Sequence, residues 1–388
     1  MRDHGDQCGG SRKPAARNLS AAFFLASLLF ASPLSAQGTA TAPYSRGRPL
    51  GDWITQAGHY IPELRREAVK AIGALGPGAR SAVPVLIRAT RDENSEVRYW
   101  AVDALRRIGP AASDAAPALV VVMAEDERAT QLSARRSLEM MGTAAIPSLV
   151  PLLESPDPWV RASAAEVLGG IGGERSEVIR GLASLLKDDS LWVRSSAAWG
   201  LGRIGRPARQ AAKPLQEALA EELRRDPSLA DATQRVRVEN LVYAIGRMGD
   251  ASKNAVPSLM SVLFDGSDSL RISAALALAG VGKSSAQPLG AAVRSGRPDA
   301  VRLEAAHALR LLGPQGKGAV KDLVKALEST DELEGGRDLL IATADALGAM
   351  GKNAKPALSA LEQQRKRSAT PDAVAALDRA VRKIRTGG

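Results

Sequence analysis

The sequence predicts an all-α fold, a solenoid of about nine two-helix units that starts near residue 50, and three observations carry that prediction. A glycine closes each repeat, at Gly76, Gly109, Gly142, Gly172, Gly205, Gly249, Gly282, Gly313 and Gly351, with gaps of 33, 33, 30, 33, 44, 33, 31 and 38 residues. Pro84, Pro117, Pro147, Pro214, Pro257, Pro288 and Pro356 stand five to nine residues after a closing Gly. A first helical turn tolerates proline, whose missing N–H would have had no partner there, and glycine accepts the left-handed conformation that ends a helix. The composition is 45% hydrophobic but only 3% aromatic, which suits many small interfaces and not one large core.

Each unit contains two apolar-periodic segments, here termed helix A and helix B. In the second unit they are the run 82–88 and the run 97–109. Along helix B the apolar positions fall one, four, five, eight and twelve residues before the closing Gly. In unit five these are Ile204, Leu201, Gly200, Ala197 and Val193, which at 100° per residue share one arc and define the packed face. Its inner members are mostly Ala or Gly, so neighbouring helices can approach closely.

The N-terminal region reads differently. Arg12, Lys13 and Arg17 precede the apolar run 19–30, and small residues with Pro33 follow it. This is the three-part pattern of an export signal, and the run is shorter than the ~20 helical residues needed to cross a bilayer. The expectation is a signal peptide over 1–36, cleaved near Ala36, Ala40 or Ala42, with a retained anchor as the alternative. A flexible linker over 37–49, the solenoid over 50–366 and a C-terminal capping helix and tail over 367–388 follow. The mature chain is then periplasmic or secreted, with no transmembrane segment. Removing 1–36 leaves 48 basic against 40 acidic residues, and it also removes Cys8, the one cysteine. No disulfide and no cysteine-based metal site can form within the chain, and His4, His59 and His307 show no helical pairing. No metal and no cofactor are expected.

Helix A carries Pro-x-Leu, then comes an Asp, then Val-Arg opens helix B, then Ala-x-x-Ala-Leu-Gly-x-Ile-Gly closes it. Asp92 with Val97-Arg98, Asp188 with Val193-Arg194 and Asp265 with Leu270-Arg271 fit this order, with looser versions at Arg65, Arg161 and Arg302. On these residues the chain resembles HEAT repeat proteins, members of the armadillo-like helical solenoids. The Ala-Leu-Gly-x-Ile-Gly variant is most similar to the bacterial subgroup related to phycobilisome lyases. The resemblance implies a right-handed superhelix. It also implies that Asp92, Arg98, Arg161, Asp188, Arg194, Asp265, Arg271 and Arg302 form a structural ladder of Asp and Arg linking successive repeats. Gln131, Val238 and Leu340 stand where the Arg belongs in units three, six and nine, so the ladder should be interrupted there. Unit six also carries an insertion of about ten residues within 220–234, and unit nine an acidic segment over 331–336.

The resemblance names enzymes that the residues can test. The di-iron hydroxylases of this architecture use His-Glu pairs, but Tyr60 follows His59 and Ala308 follows His307, so that activity is excluded. A lyase-type enzyme acting on a protein-bound substrate stands as the alternative to a non-catalytic scaffold or adaptor, although no nucleophile, base and orienting group can be named. A polyanion-binding module comes third. The pI near 9.9 invites nucleic acid, yet acidic and basic residues alternate over most of the chain, and nucleic acid is not expected. The dense basic clusters at 364–367 and 382–385 are where contact with an anionic envelope surface would fall.

Stacked units present equivalent positions as a stripe. Six residues before the closing Gly stand Lys70, Asp103, Arg136, Glu166, Trp199, Tyr243, Leu276, His307 and Asp345. Charges occupy the ends of this series and apolar groups its middle. With Ile272 and Leu303 at the tenth position before the Gly, Trp199, Tyr243, Ile272, Leu276, Leu303 and His307 form an expected stripe bordered by Arg203 and Arg247. Its expected partner is a protein or peptide segment. Trp100, Trp159 and Trp192, at the start of helix B, are read as packing between units, and Trp53 as a cover for the N-terminal end of the stack.

Overall fold

The computed structural model describes residues 44–226, 229, 231–330 and 336–387. The expected signal peptide, the first part of the expected linker and most of the acidic segment of unit nine lie outside the described residues.

Residues 44–49 are not a linker. Tyr44–Ser45 and Arg48–Pro49 pair as an antiparallel hairpin, Tyr44 opposite Pro49 and Ser45 opposite Arg48. The turn between them places Arg46 and Gly47 at φ 48° and 73°, the left-handed geometry that matches strand twist in a two-residue hairpin. The hairpin sits on Trp53, whose indole N–H donates to the Ser45 carbonyl at 3.0 Å while the Arg48 guanidinium lies 4.2 Å over the ring. Trp53 is buried, so it covers the end of the stack and is itself covered.

Beyond the hairpin, the described residues form ten helix pairs, one more than the closing glycines before the tail suggest. Helices A and B are Leu50–Gln56 and Pro62–Ala74, Val83–Ala89 and Ser95–Ile108, Ala116–Glu125 and Arg128–Met141 in units one to three. Unit four has Ile146–Leu149, extended by the 3-10 turn Val150–Glu154, and Pro158–Ile171; unit five has Ser176–Ser184 and Leu191–Ile204. Units six to eight have Ala212–Arg225 and Ala232–Arg247, Val256–Asp265 and Asp268–Val281, Ala286–Arg294 and Asp299–Leu312. Units nine and ten have Val320–Ser329 and Arg337–Ala349, Leu358–Arg367 and Pro371–Thr386. The last helix is therefore a full B helix. Ala373, Ala376, Leu377, Ala380, Val381 and Ile384 are buried, and it packs along helix B of unit nine. Its Arg and Lys residues, which in sequence argue against a packed repeat, lie mostly on the opposite face. The stretch Ser95–Glu125 is long and apolar enough to cross a membrane by composition. Gly109 at φ 71° divides it between two units, and most of its apolar residues are in the core.

Most consecutive B helices touch along their length, whereas consecutive A helices meet at fewer places. Small residues permit this, most of all between units four and five. A Cβ added to Gly169 would stand 2.2 Å from the Gly200 Cα, so these two helices cross in backbone contact. The exception is the pair of B helices of units three and four, which touch only sparingly.

Candidate functional site

The arginine that opens helix B does two things at once. Arg161 donates through Nη1 to the Ser155 and Pro156 carbonyls at 2.7 and 3.2 Å, closing its own loop. Its Nε and Nη2 fork onto Asp188 of the next unit at 2.8 and 2.9 Å. Arg65 forks in the same way onto Asp92, at 2.7 Å for both bonds, and Arg98 onto Asp126 at 2.7 and 3.0 Å. Such bidentate pairs are planar and charge-assisted, among the strongest hydrogen bonds available to side chains. Burial disfavours the charged Asp188 carboxylate, but Arg161, the Ser190 N–H and the charge of Arg194 outweigh it and hold the pKa below the usual carboxylate range. The acid partner thus comes from the following unit: Asp92 pairs with Arg65, while Arg98 takes only the Asp92 carbonyl.

The remaining rungs depart from this scheme. Arg194 closes its own loop on the Asp188 and Asp189 carbonyls at 2.6 and 3.2 Å, but its Nη2 reaches only to 4.0 Å from Glu222. Burial, with Arg225 and Arg237 nearby, lowers its pKa despite the attraction of Glu222. Unit six has an arginine after all. Its helix B is longer, 16 residues against 14 in unit five, and Arg235, four after the capping Asp231, donates to the Leu229 carbonyl. Val238 is buried core, and Arg235 closes the loop of its own unit. Asp265, Arg271 and Arg302 do not link units among the described residues. Asp265 accepts from Ser261, Arg271 turns to the Gly266 carbonyl and Asp268, and Arg302 to the Val293 carbonyl and Asp299. At Gln131 the rung is absent, and the B helices of units three and four splay apart there.

The stripe positions divide as the sequence suggests, with corrections at both ends. Trp199, Arg203, Tyr243, Arg247, Ile272, Leu276 and His307 are exposed, and Leu303 is half-buried against the core. Trp199 and Tyr243 stack with ring centroids 5.1 Å apart and 29° between planes. Tyr243 is held from below: a Cβ at Gly202 would stand 2.6 Å from its ring, so glycine makes the seat. The Arg203 guanidinium lies over Gly170 of the preceding B helix, where a Cβ would stand 3.1 Å from its Nη1, and Arg247 lies over Gly205. His307 stands 3.6 Å from Glu304 at the edge of the stripe. In the earlier units the equivalent positions are closed by ion pairs. Asp103 is buried under Arg106 and Arg107, and Glu166 accepts from Arg135 at 2.5 Å.

Two tryptophans read as packing between units do stack across units four and five, and they also belong to this surface. Trp159 and Trp192 are 54% and 62% exposed and stack on each other at 5.9 Å. Trp100 does pack, half-buried beneath the Lys70 ammonium at 4.2 Å. The signal was present in the spacing. Trp192 precedes Trp199 by seven residues, two turns along one helix face, and exposed Val236 precedes Tyr243 by the same interval. The face thus runs from unit four to unit seven. Two hollows flank it, one of about 290 Å³ beside Trp159, Trp192 and Leu132, and one of about 620 Å³ among Tyr243, Arg247, Leu276, Gly246 and Gly280. Exposed stacked rings, one of them seated on a glycine, with hollows beside them and arginines at the rim, can receive the side chains of an extended or helical segment.

Of the C-terminal basic clusters, Arg365 pairs with Asp378 at 2.5 Å and Arg385 with Glu362 at 2.6 Å, which ties the last two helices together. No group of three or more His, Cys, Asp or Glu residues could hold a metal ion among the described residues.

A family model of HEAT repeats matches residues 51–139, 146–229 and 227–310, so the chain belongs to the HEAT repeat family. No curated protein matches it in sequence. Among solved structures, importin beta crystallised in a polyethylene glycol condition superposes with a TM-score of 0.52 at 14% identity, covering 87% of this chain and 49% of that one. The Kap95:Nup1 complex gives 0.53 at 11% identity, covering 86% and 52%. The chain spans about half the length of these two solenoids, and at such identity the likeness is one of fold.

Proposed function

We propose that the chain is a non-catalytic protein-interaction scaffold of the cell envelope, and that it binds a protein or peptide segment on the B face of units four to seven. The observation that carries this is the row of exposed, pre-stacked aromatic residues Trp159, Trp192, Trp199 and Tyr243 on the B layer. An apolar surface on which four large aromatics remain uncovered is the composition of a binding hot spot. The likeness to the Kap95:Nup1 solenoid supports a protein as the occupant, and the three-part N-terminal pattern supports export. The repeat variant shared with lyase-like HEAT proteins gives the enzymatic alternative, which lacks a nameable set of reacting groups in this sequence.

The test is capture from an envelope fraction by the chain lacking 1–36, run beside a Trp199→Ala, Tyr243→Ala, Leu276→Ala variant with matched helicity and Tm. The reading expects a partner retained by the first and lost by the second. Capture that survives in the folded variant removes the face, and a mature protein that begins at Met1 removes export.

A further inference from the structure

We infer that the junction of units five and six is a binding site for an external carboxylate, received by the open fork of Arg194. This rests on the ladder and not on the aromatic face. Arg65, Arg98 and Arg161 show what the fork does when filled: Nε and Nη2 hold the two oxygens of one carboxylate at 2.7–3.0 Å. Arg194 keeps the other half of the motif, its Nη1 on the Asp188 and Asp189 carbonyls, so its guanidinium is fixed as theirs are. Six residues before the arginine, where Asp92 and Asp188 stand in their units, unit six has Leu229, so the carboxylate that would fill the fork is missing. The nearest acid is Glu222 at 4.0 Å, too far for a hydrogen bond.

Glu222 is itself oversubscribed. It is buried, it lies 3.1 Å from Arg237 Nη2 and 3.8 Å from Arg225 Nη1, and three arginines therefore converge on one carboxylate. Arg237 Nη1 is buried without a hydrogen-bond partner. The other acids lining the site are engaged elsewhere or exposed: Asp188 with Arg161, Glu221 with Arg224 and Arg225, Glu217 with Lys213, and Asp189 at the surface. These groups line an open cavity of about 800 Å³, large enough for an acidic side chain and the residues on either side of it. A planar two-oxygen anion suits the fork because the three filled rungs hold one. Its source is an Asp or Glu side chain of a partner segment or a small free carboxylate.

The test uses the full chain, with the peptides acetyl-Gly-Asp-Gly-amide and acetyl-Gly-Asn-Gly-amide, acetate and inorganic phosphate as probes at low ionic strength. The Asp peptide raises Tm saturably and binds roughly tenfold or more tighter than the Asn peptide. It also protects Arg194, in preference to Arg161, from phenylglyoxal as read by mass spectrometry. Arg194→Lys, which keeps the charge and removes the fork, abolishes the difference between the peptides. An effect of acetate equal to that of the Asp peptide identifies a small free carboxylate as sufficient, and a peptide-only effect identifies a protein source. Equal response to Asp and Asn, a stronger response to phosphate, absence of any response, or binding unchanged in folded Arg194→Lys overturns the inference. The wild-type comparison and the labelling decide the matter even where the variant fails to fold.

Discussion

Two neighbouring junctions of the solenoid use the same parts to opposite ends. Between units four and five, Gly169 and Gly200 bring two backbones into contact, Arg161 closes on Asp188, and the stack is sealed. Between units five and six, the glycine at 202 meets the ring of Tyr243 as well as the Ala244 backbone, and Arg194 finds no carboxylate within hydrogen-bond reach. In the second junction the repeat's binding elements are left partly unused by the fold, and both the Trp199–Tyr243 pair and the open fork lie there. A repeat protein can thus acquire a surface by omission, losing one acid and inserting one loop while its packed face stays intact.

The sharpest way to break the comparison is at the glycines. Gly200→Leu at the sealed junction puts a side chain into helix backbone that cannot move aside, and a loss of about 3 kcal/mol or more is expected from denaturant midpoints. Gly202→Ala displaces a partly exposed tyrosine ring and presses on Ala244, so a loss nearer 1 kcal/mol is expected, with the Tyr243 fluorescence or NMR environment changed. A smaller cost at Gly200 than at Gly202 contradicts the account.

The arginine rungs sharpen it next. Asp188→Asn leaves Arg161 without its partner in a site where both side chains are mostly buried, at a cost of about 2–4 kcal/mol. Arg194→Lys gives up a fork that is not filled and costs under about 1 kcal/mol. The same contrast appears in acid. The pKa of Asp188 is lower in the folded chain than in the unfolded one, so its stabilisation is complete above about pH 4 and is lost as pH falls through the folded value. Wild type therefore loses more stability between about pH 5 and 2 than Asp188→Asn does, and parallel profiles contradict the assignment.

The smallest effects belong to the open face. Trp159→Ala and Trp192→Ala remove rings that are more than half exposed, so each lowers stability by no more than about 1 kcal/mol in urea titrations. A loss of several kcal/mol from either makes them core residues.

Much of this architecture was legible in the chain because Gly and Pro act locally. A Gly at positive φ, as at Gly249 and Gly205, follows helix B in units one to nine, although in unit four it is Gly173 and not the expected Gly172, and no distant contact decides it. What the sequence concealed depends on packing between units. The tenth unit hides behind basic residues that lie mostly on the outer face of its helix. Arg235, not position 238, closes the loop of unit six because helix B there starts a turn earlier. Trp159 and Trp192 stand two residues before the arginine of helix B, whereas Trp100 stands two after its arginine, a turn further into the helix. Trp100 lies beneath Lys70 of the preceding unit, whereas the B helices of units three and four touch only sparingly and a hollow lies beside the other two. The hairpin at 44–49 is too short to carry a periodic signal of its own.

The measurement that bears most directly on the central claim is hydroxyl-radical footprinting of the chain with and without its captured partner, read residue by residue by mass spectrometry. The account predicts that Trp159, Trp192, Trp199 and Tyr243 are oxidised readily in the free chain and protected together in the complex, while buried Trp53 stays unreactive in both. Protection confined to the A helices, with the four aromatics as reactive as before, would contradict it.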